Sequence, residues 1–419
     1  MIKFWFFTYN ILLIPLTWIS FHILGLFNTK VRQGISGRKQ EFPVFLPGEK
    51  VVLIHSSSLG EYQQALPLVD EFLNLNYKIV LTFFSPSGYL NAKIDNENIT
   101  KLYLPFDSYR RIEKFLNDIH PEFLVLIRYD LWFNLLFIAS KRNIKIILAN
   151  ARYDENDKFW NIPVSRSFKK SLYSFINKIF VIDEQDESSY KKLLPSSEVI
   201  RVGDSKFERV YEASKNVNKN NILPPEVING KKVFVIGSSW RQDEDILLPV
   251  INKIIKYEKN LLTILVPHEP KETKIKHIEI NIQSKFENLN YIRYSNIDNY
   301  KNQNLIIVNC IGKLLSLYSI ANISYVGGGF KSGLHNVLEP AIFNIPVLFN
   351  NQVKNSDEDE MMLKYGCGIL INNQSQFYRV IRTLLRNDDL RIETGNKCKD
   401  LFKETLGTAK KIIENITNS

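Results

Sequence analysis

The feature that most constrains this chain is an alternation, repeated along its length, of short β-branched apolar runs with longer amphipathic stretches. A run of four to eight apolar residues bounded by turn signals reads as a buried strand, and an apolar period near 3.6 reads as a helix packed over it. Strands are expected at Val51–His55, Ile79–Phe83, Phe123–Ile127, Ile144–Ala149 and Lys178–Ile182. A second series follows at Val233–Ile236, Leu261–Val266, Leu305–Val308, Ile323–Val326 and Val347–Phe349. Strand and helix in alternation give an α/β protein with parallel sheets covered on both faces. The polar stretch ASKNVNKNNILPPEVINGKK, residues 213–232, interrupts the alternation with the Asn, Lys and Pro content of a linker. At 419 residues the chain exceeds one ordinary core, so two doubly wound domains are expected, with ligands beyond the carboxyl ends of their strands.

A different pattern occupies the start. Phe4–Phe27 contains no Asp, Glu, Lys or Arg and is long enough as a helix to cross a hydrocarbon core of about 30 Å. A cleaved signal peptide competes with this reading, but the run is long, rich in aromatics and lacks a small-x-small cleavage site. It is read as a membrane anchor, either spanning or lying in the plane of the membrane. Lys30, Arg32, Arg38 and Lys39 follow it and only Lys3 precedes it, which places the body on the cytoplasmic side. The domain reading is therefore an anchor at 1–28, a first domain at 29–212, the linker, a second domain at 233–395 and a closing helical segment at 396–419.

A hydrophobic content of 45% with 23% charged residues excludes a disordered chain and a polytopic membrane protein. The net charge of +10 favours an anionic partner: an acidic membrane surface, an acidic substrate or nucleic acid. The basic residues are scattered and no aromatic-basic motif appears, so nucleic acid is not expected. Cys310, Cys367 and Cys398 are widely spaced, with no zinc-type histidine pattern beside them, and read as reduced thiols.

Three segments carry residues suited to chemistry. In VVLIHSSSLGEYQQALPLV, residues 51–69, a strand runs into small residues and a helix whose first turn holds Glu61. The helix dipole favours a carboxylate there, so a base at this position stays ionised and can take a hydroxyl proton; an ordinary dipole-satisfying glutamate is the plainer reading. In the second segment, Gly237, Ser238 and Ser239 precede Trp240 and the acidic stretch QDEDILL, an arrangement suited to a phosphate or simply to N-capping by serine. In YVGGGFKSGLHNVLEPA, residues 325–341, Gly327–Gly329 let backbone approach a ligand and Gly333 permits a turn. His335, Asn336 and Glu339 then open a helix, with Asn336 and Glu339 on one face. The spacing is not that of a dinucleotide fingerprint, and nucleotide binding is favoured over a purely structural turn. Among weaker candidates, Arg128, Asp130 and Trp132 follow a strand of the first sheet, where a helix-start ion pair with an aromatic core contact explains them equally well. His268 and Glu269 follow LLTILVP, Lys206 lies in VGDSKFERV, and His55 reads as a structural strand-end residue.

Taken in order, HSSSLGE at 55–61, NAR at 150–152, GDSKFE at 203–208, GSSW at 237–240 and VGGGFKSGLHNVLEP at 326–340 resemble the 3-deoxy-D-manno-octulosonic acid (Kdo) transferase family along nearly the whole chain. The resemblance implies a GT-B fold, two Rossmann-like domains facing a central cleft. The first would handle the lipid A precursor, the second CMP-Kdo. It implies an inverting transfer without metal or cofactor at the cytoplasmic face of the inner membrane, whose anionic lipids the basic surface would meet. Glu61 matches the family's catalytic glutamate and Lys206 a lysine that stabilises the transition state. Positions that contact CMP match Pro267 and His268, Ile311, Gly312 and Lys313, and Asn336, Val337, Leu338 and Glu339; Gly237, Ser238, Ser239, Gly333 and His335 join this donor-binding set. Two positions depart from the family: Arg128 stands where many members have Glu, so any acidic role there is lost or moved to Asp130, and His268 stands in PHEP where many carry Arg. A GT-B enzyme using another nucleotide sugar on a lipid, and a non-catalytic membrane-anchored protein binding a nucleotide or anionic lipid, are the alternatives.

Overall fold

The computed structural model describes residues 1–154, 157–218, 222–353 and 358–417. Among them, the strands form two parallel sheets of seven. The first comprises β1 (Val51–Ser56), β2 (Lys78–Phe83), β3 (Ile99–Tyr103), β4 (Phe123–Ile127), β5 (Lys145–Ala151), β6 (Lys178–Val181) and β7 (Glu198–Arg201), in the order β3-β2-β1-β4-β5-β6-β7. The second comprises β8 (Lys232–Ser239), β9 (Leu261–Pro267), β10 (Tyr291–Arg293), β11 (Leu305–Ile307), β12 (Ile323–Val326), β13 (Val347–Phe349) and β14 (Gly368–Leu370), in the order β10-β11-β9-β8-β12-β13-β14. β1 and β4 are buried along their whole length, as strands covered by helices on both faces must be. The strand order reverses between β1 and β4 in one sheet and between β8 and β12 in the other. Crevices open at such switch points, where the strands' carboxyl ends diverge.

The chain divides into two compact units, Met1–Arg209 with Thr405–Ser419, and Val210–Glu404. The return of the C-terminus has a physical cause. Ala409, Ile412, Ile413 and Ile416 of the helix Thr408–Thr417 are buried in the first unit's core with Val52, Leu68 and Val202. The preceding helix, Asp388–Thr405, belongs almost wholly to the second unit. The stretch expected as a linker contains one short helix, Pro225–Ile228, and residues 219–221 of it lie outside the described residues.

Ile2–Phe27 is one apolar helical run of 26 residues, long and apolar enough to cross a membrane. It widens to a π-helical turn at Tyr9–Leu13, just before Pro15; proline has no N–H to continue the regular ladder. One face packs on the first unit: Trp5, Tyr9 and Ile14 join its core, and Trp5 Nε1 donates to Ser167 Oγ at 3.1 Å. Tyr9 Oη donates to Asp107 Oδ2 at 2.8 Å, and Asn10 exchanges hydrogen bonds with Asn134. Asp107 in turn accepts from the N–H groups of Asn134 and Leu135 at the start of the helix Phe133–Lys141. The opposite face, with Phe7, Ile11, Leu12, Leu16 and Ile19, is exposed.

Candidate functional site

In the first unit the candidate residues gather beyond β1 and β4. Ser58 caps the helix Leu59–Asn74, its Oγ accepting from Glu61 N at 3.4 Å, while Glu61 Oε2 accepts from the N–H groups of Ser57 and Ser58. This reciprocal pairing fixes Glu61 at the mouth of the sheet. Burial pushes its carboxyl above the usual range, outweighing the lowering by the Ser57 N–H; Asp130 adds to the rise. The dipole expected from sequence therefore does not decide its ionisation, because desolvation of the half-buried carboxylate is the larger effect.

His55, read from sequence as a structural strand-end residue, lies beside this group. It is buried, its Nδ1 lies 3.0 Å from Thr82 Oγ1 and its Nε2 2.8 Å from Asp130 Oδ2. Burial works to raise Asp130, but the hydrogen bond and charge of His55 hold its carboxyl below the ordinary value. The ion pair that equally explained Arg128 and Asp130 is absent among the described residues. Arg128, in the left-handed region at φ 66°, instead donates Nε to Gln64 Oε1 at 2.9 Å. Trp132 stacks on Phe84 with ring centroids 4.9 Å apart. Gln64 is one helical turn beyond Glu61, and its backbone oxygen accepts from Ser205 Oγ at 2.6 Å. Asn150 Nδ2 donates to that same hydroxyl at 2.5 Å. The NAR and GDSKFE segments are thus tied to the Glu61 helix. Lys206 begins the next helix, Lys206–Lys215, its N–H donating to Asp204 Oδ1 at 2.9 Å.

In the second unit the switch point between β8 and β12 collects the other set. β8 runs through Ser239, so neither Ser238 nor Ser239 caps the following helix Arg241–Ile254. Asp243 takes that part: Oδ2 accepts from Trp240 N at 2.8 Å and Gly328 N at 3.1 Å, and Oδ1 from Tyr325 Oη at 2.8 Å. Within the acidic stretch QDEDILL, Asp243 is buried and holds the glycine segment against β8. Gly328 and Gly333 have φ of 99° and 92°, values closed to most side chains, and a Cβ on Gly328 would stand 2.2 Å from Gly333 O. The glycines therefore fold the loop on itself.

That fold brings His335 to Trp240 and His268. His268 and His335 stack with centroids 4.3 Å apart, and Trp240 lies 4.8 Å from His268. Trp240 Nε1 donates to His335 Nε2 at 3.0 Å. Burial, with His268 and Lys274 adding to it, lowers His335 to about 4. It is therefore neutral near pH 7, and because Nε2 accepts from the indole its proton resides on Nδ1. Lys274 Nζ sits 5.1 Å from the Trp240 ring and donates to Ser239 O, adding a cation that sequence reading did not single out. Pro267 ends β9 and Ser239 O accepts from His268 N at 3.0 Å. The helix expected from His335 is a single turn, Leu338–Ala341: Asn336 Oδ1 accepts from Leu338 N, and its Nδ2 donates to Glu339 Oε1 at 3.3 Å. Val337 and Leu338 are buried, so their side chains serve packing. Ile311, Gly312 and Lys313 stand exposed before the short helix Leu314–Tyr318.

Comparison with known proteins gives this arrangement its class. The fold matches that of UDP-GlcNAc 2-epimerase from Neisseria meningitidis, at 14% identity with a TM-score of 0.61 over 88% of this chain and 100% of that one. It also matches MurG from Acinetobacter baumannii, at 11% identity with a TM-score of 0.54 over 88% and 100%. These likenesses define a GT-B fold. A family model described as 3-deoxy-D-manno-octulosonic-acid transferase (kdotransferase) matches residues 29–209. A 3-deoxy-D-manno-octulosonic acid transferase of Haemophilus influenzae is 26% identical over 98% of this chain and 97% of its own, and one of Rickettsia prowazekii 29% over 87% and 78%. A bifunctional glycosyltransferase/methyltransferase of Fusobacterium nucleatum is 31% identical over 81% of this chain, which spans only 53% of that protein. The first part of the chain thus matches the Kdo transferase model, and most of its length is similar to curated Kdo transferases, relatives that indicate a glycosyltransferase.

Proposed function

We propose that this enzyme moves Kdo from CMP-Kdo to a hydroxyl of the lipid A precursor and releases CMP, acting at the cytoplasmic face of the inner membrane. The observation that carries the catalytic part is the placement of Glu61, held by two backbone N–H groups with a carboxyl raised by burial. A raised carboxyl is a stronger base than an exposed one, which suits removal of a proton from an alcohol. Glu61 takes the acceptor proton as the hydroxyl oxygen bonds to the anomeric carbon of Kdo. The bond from that carbon to the phosphate oxygen breaks, and CMP leaves with the bonding electrons and inverted stereochemistry behind it. Lys206 faces the negative charge of donor and transition state. Asp130, oriented by His55, and Arg128 complete the polar wall on this unit.

The donor is assigned to the second unit. On this reading Gly237, Ser238 and Ser239, Pro267 and His268, Ile311–Lys313, and Gly333 with His335–Glu339 take the donor. His335 offers Nδ1–H, and Lys274 near His268 supplies positive charge where related proteins carry Arg. The exposed apolar face of the N-terminal helix and the basic residues after it attach the enzyme to the membrane.

Donor identity is tested by competition. CMP is expected to protect the second unit from proteolysis and to displace CMP-Kdo, with UDP at least about tenfold weaker; equal displacement by UDP assigns the enzyme to a different nucleotide sugar. The acid limb of kcat/KM follows from Glu61. The base works deprotonated, so activity falls as pH drops through its folded pKa, and burial places that fall above the ordinary glutamate range. A pH profile flat down to the pKa of a free glutamate contradicts the assignment.

A further inference from the structure

Arg128 directly follows β4 in a backbone conformation that side chains of its kind seldom take. Its φ of 66° lies in the left-handed region, and five of the eight described non-glycine residues found there are asparagines, whose short polar side chain tolerates it. An arginine stays in that region only where its surroundings hold it, and residues held in this way gather at functional sites.

The bonds that hold Arg128 come from distant parts of the first unit. Its N–H donates to Ala149 O at 3.0 Å, carrying the pairing of β4 with β5 one residue past Ile127. Just beyond Ala149, Asn150 is left-handed as well, at φ 53°. The side chains then close a circuit: Arg128 Nε donates to Gln64 Oε1 at 2.9 Å, Ser205 Oγ to Gln64 O at 2.6 Å, and Asn150 Nδ2 to Ser205 Oγ at 2.5 Å. Gln64, Asn150 and Ser205 are buried, so the circuit is shielded from water and fixes the half-buried guanidinium.

Only Nε is used in this. Among the described residues no hydrogen bond takes up Nη1 or Nη2, and no carboxylate forms an ion pair with Arg128. The carboxylates of the same site are engaged elsewhere, Glu61 with the N–H groups of Ser57 and Ser58, and Asp130 with His55. A fixed guanidinium that presents its two terminal nitrogens is the complement of a carboxylate, which accepts from both at once.

Its place says which carboxylate. Gln64 follows Glu61 by three residues, about 4.5 Å along the helix axis and on the same face. Glu61 takes the proton of the hydroxyl that attacks the anomeric carbon, so the reacting carbon passes beside this face. In a 2-ulosonic acid such as Kdo the carboxyl carbon is bonded directly to the anomeric carbon; an aldose carries hydrogen in its place.

The geometry points to Arg128 as the specificity-determining residue for the transferred sugar, gripping its carboxylate through Nη1 and Nη2 and so admitting a 2-ulosonic acid while rejecting neutral sugars. The assignment rests on the reading of Glu61 as the base of Kdo transfer. It gives the strained arginine a task distinct from acid–base chemistry.

The test measures steady-state Kdo transfer by the full chain, with free Kdo and the neutral C1 amide of Kdo as inhibitors at saturating CMP. Kdo should inhibit the wild type at least about tenfold better than the amide, because only the acid offers Arg128 a charged partner. Arg128→Gln is expected to raise KM for CMP-Kdo by about ten- to a hundredfold, as loss of charge-assisted hydrogen bonds does, and to bind Kdo and its amide equally weakly. Arg128→Lys, which keeps the charge without the planar fork, should fall between the two. Inhibition by CMP and KM for the lipid acceptor should not change. Equal inhibition of the wild type by Kdo and its amide overturns the proposal, and so does an unchanged KM for CMP-Kdo in Arg128→Gln. A rise confined to the acceptor KM also overturns it, since that assigns Arg128 to the acceptor. A wild type that binds CMP but transfers no Kdo brings down the reading of the reaction and this assignment with it; normal transfer without discrimination between acid and amide brings down the assignment alone.

Discussion

Replacing Glu61 with Gln is expected to lower kcat for Kdo transfer by about 10²–10⁴-fold, the usual worth of a positioned general base, while leaving CMP affinity unchanged. The substitution separates chemistry from folding. Gln at this helical position can still accept from the N–H groups of Ser57 and Ser58 as Glu61 does, so the cap survives. What Gln cannot do is accept a proton from the attacking hydroxyl. Single-turnover transfer with CMP binding measured on the same samples makes the comparison. A variant that retains wild-type kcat removes Glu61 from the mechanism.

Gly329→Ala should damage the second unit most. An added Cβ there would lie 1.4 Å from Asn350 O, a backbone atom with little freedom to yield. Asn350 is buried, its Nδ2 donates to Ile371 O and Asn372 Oδ1 at 2.9 Å each, and its Oδ1 accepts from Gln352 N. Gly329 O in turn accepts from Val353 N at 2.9 Å. Relief requires the loop and the end of β13 to part, at about 3 kcal/mol, the upper end of the usual overpacking cost. Urea denaturation should show a clearly lowered midpoint, and CMP binding should weaken because the same loop carries His335. A midpoint equal to wild type means that the loop is looser than its hydrogen bonds imply.

The core of each sheet was legible because its strands are buried on both faces and therefore read as unbroken apolar runs, such as FLVLI at 123–127 and ISYV at 323–326. The strands that escaped notice are edge or outer ones. Ile99–Tyr103 is half-exposed over its first three residues, and Glu198–Arg201 and Tyr291–Arg293 are short and charged, which is how exposed edges resist pairing. Glu61 was legible from its place after a strand, but its ionisation was not, since burial is a property of what packs around it. His55 and Asp243 show the same limit. Each polar side chain sits in a local context that suggests a bland role, and only the chain's return from distant segments gives His55 its Asp130 and Asp243 its Gly328. A histidine within an otherwise apolar buried strand was the available hint.

The most direct measurement is transfer by the wild-type enzyme of Kdo from freshly generated CMP-Kdo to tetraacylated lipid A precursor, with CMP and the new glycosidic linkage both quantified. The account predicts one CMP released per Kdo transferred, with inversion at the anomeric carbon. A correctly folded enzyme that binds CMP yet forms no glycolipid product contradicts it.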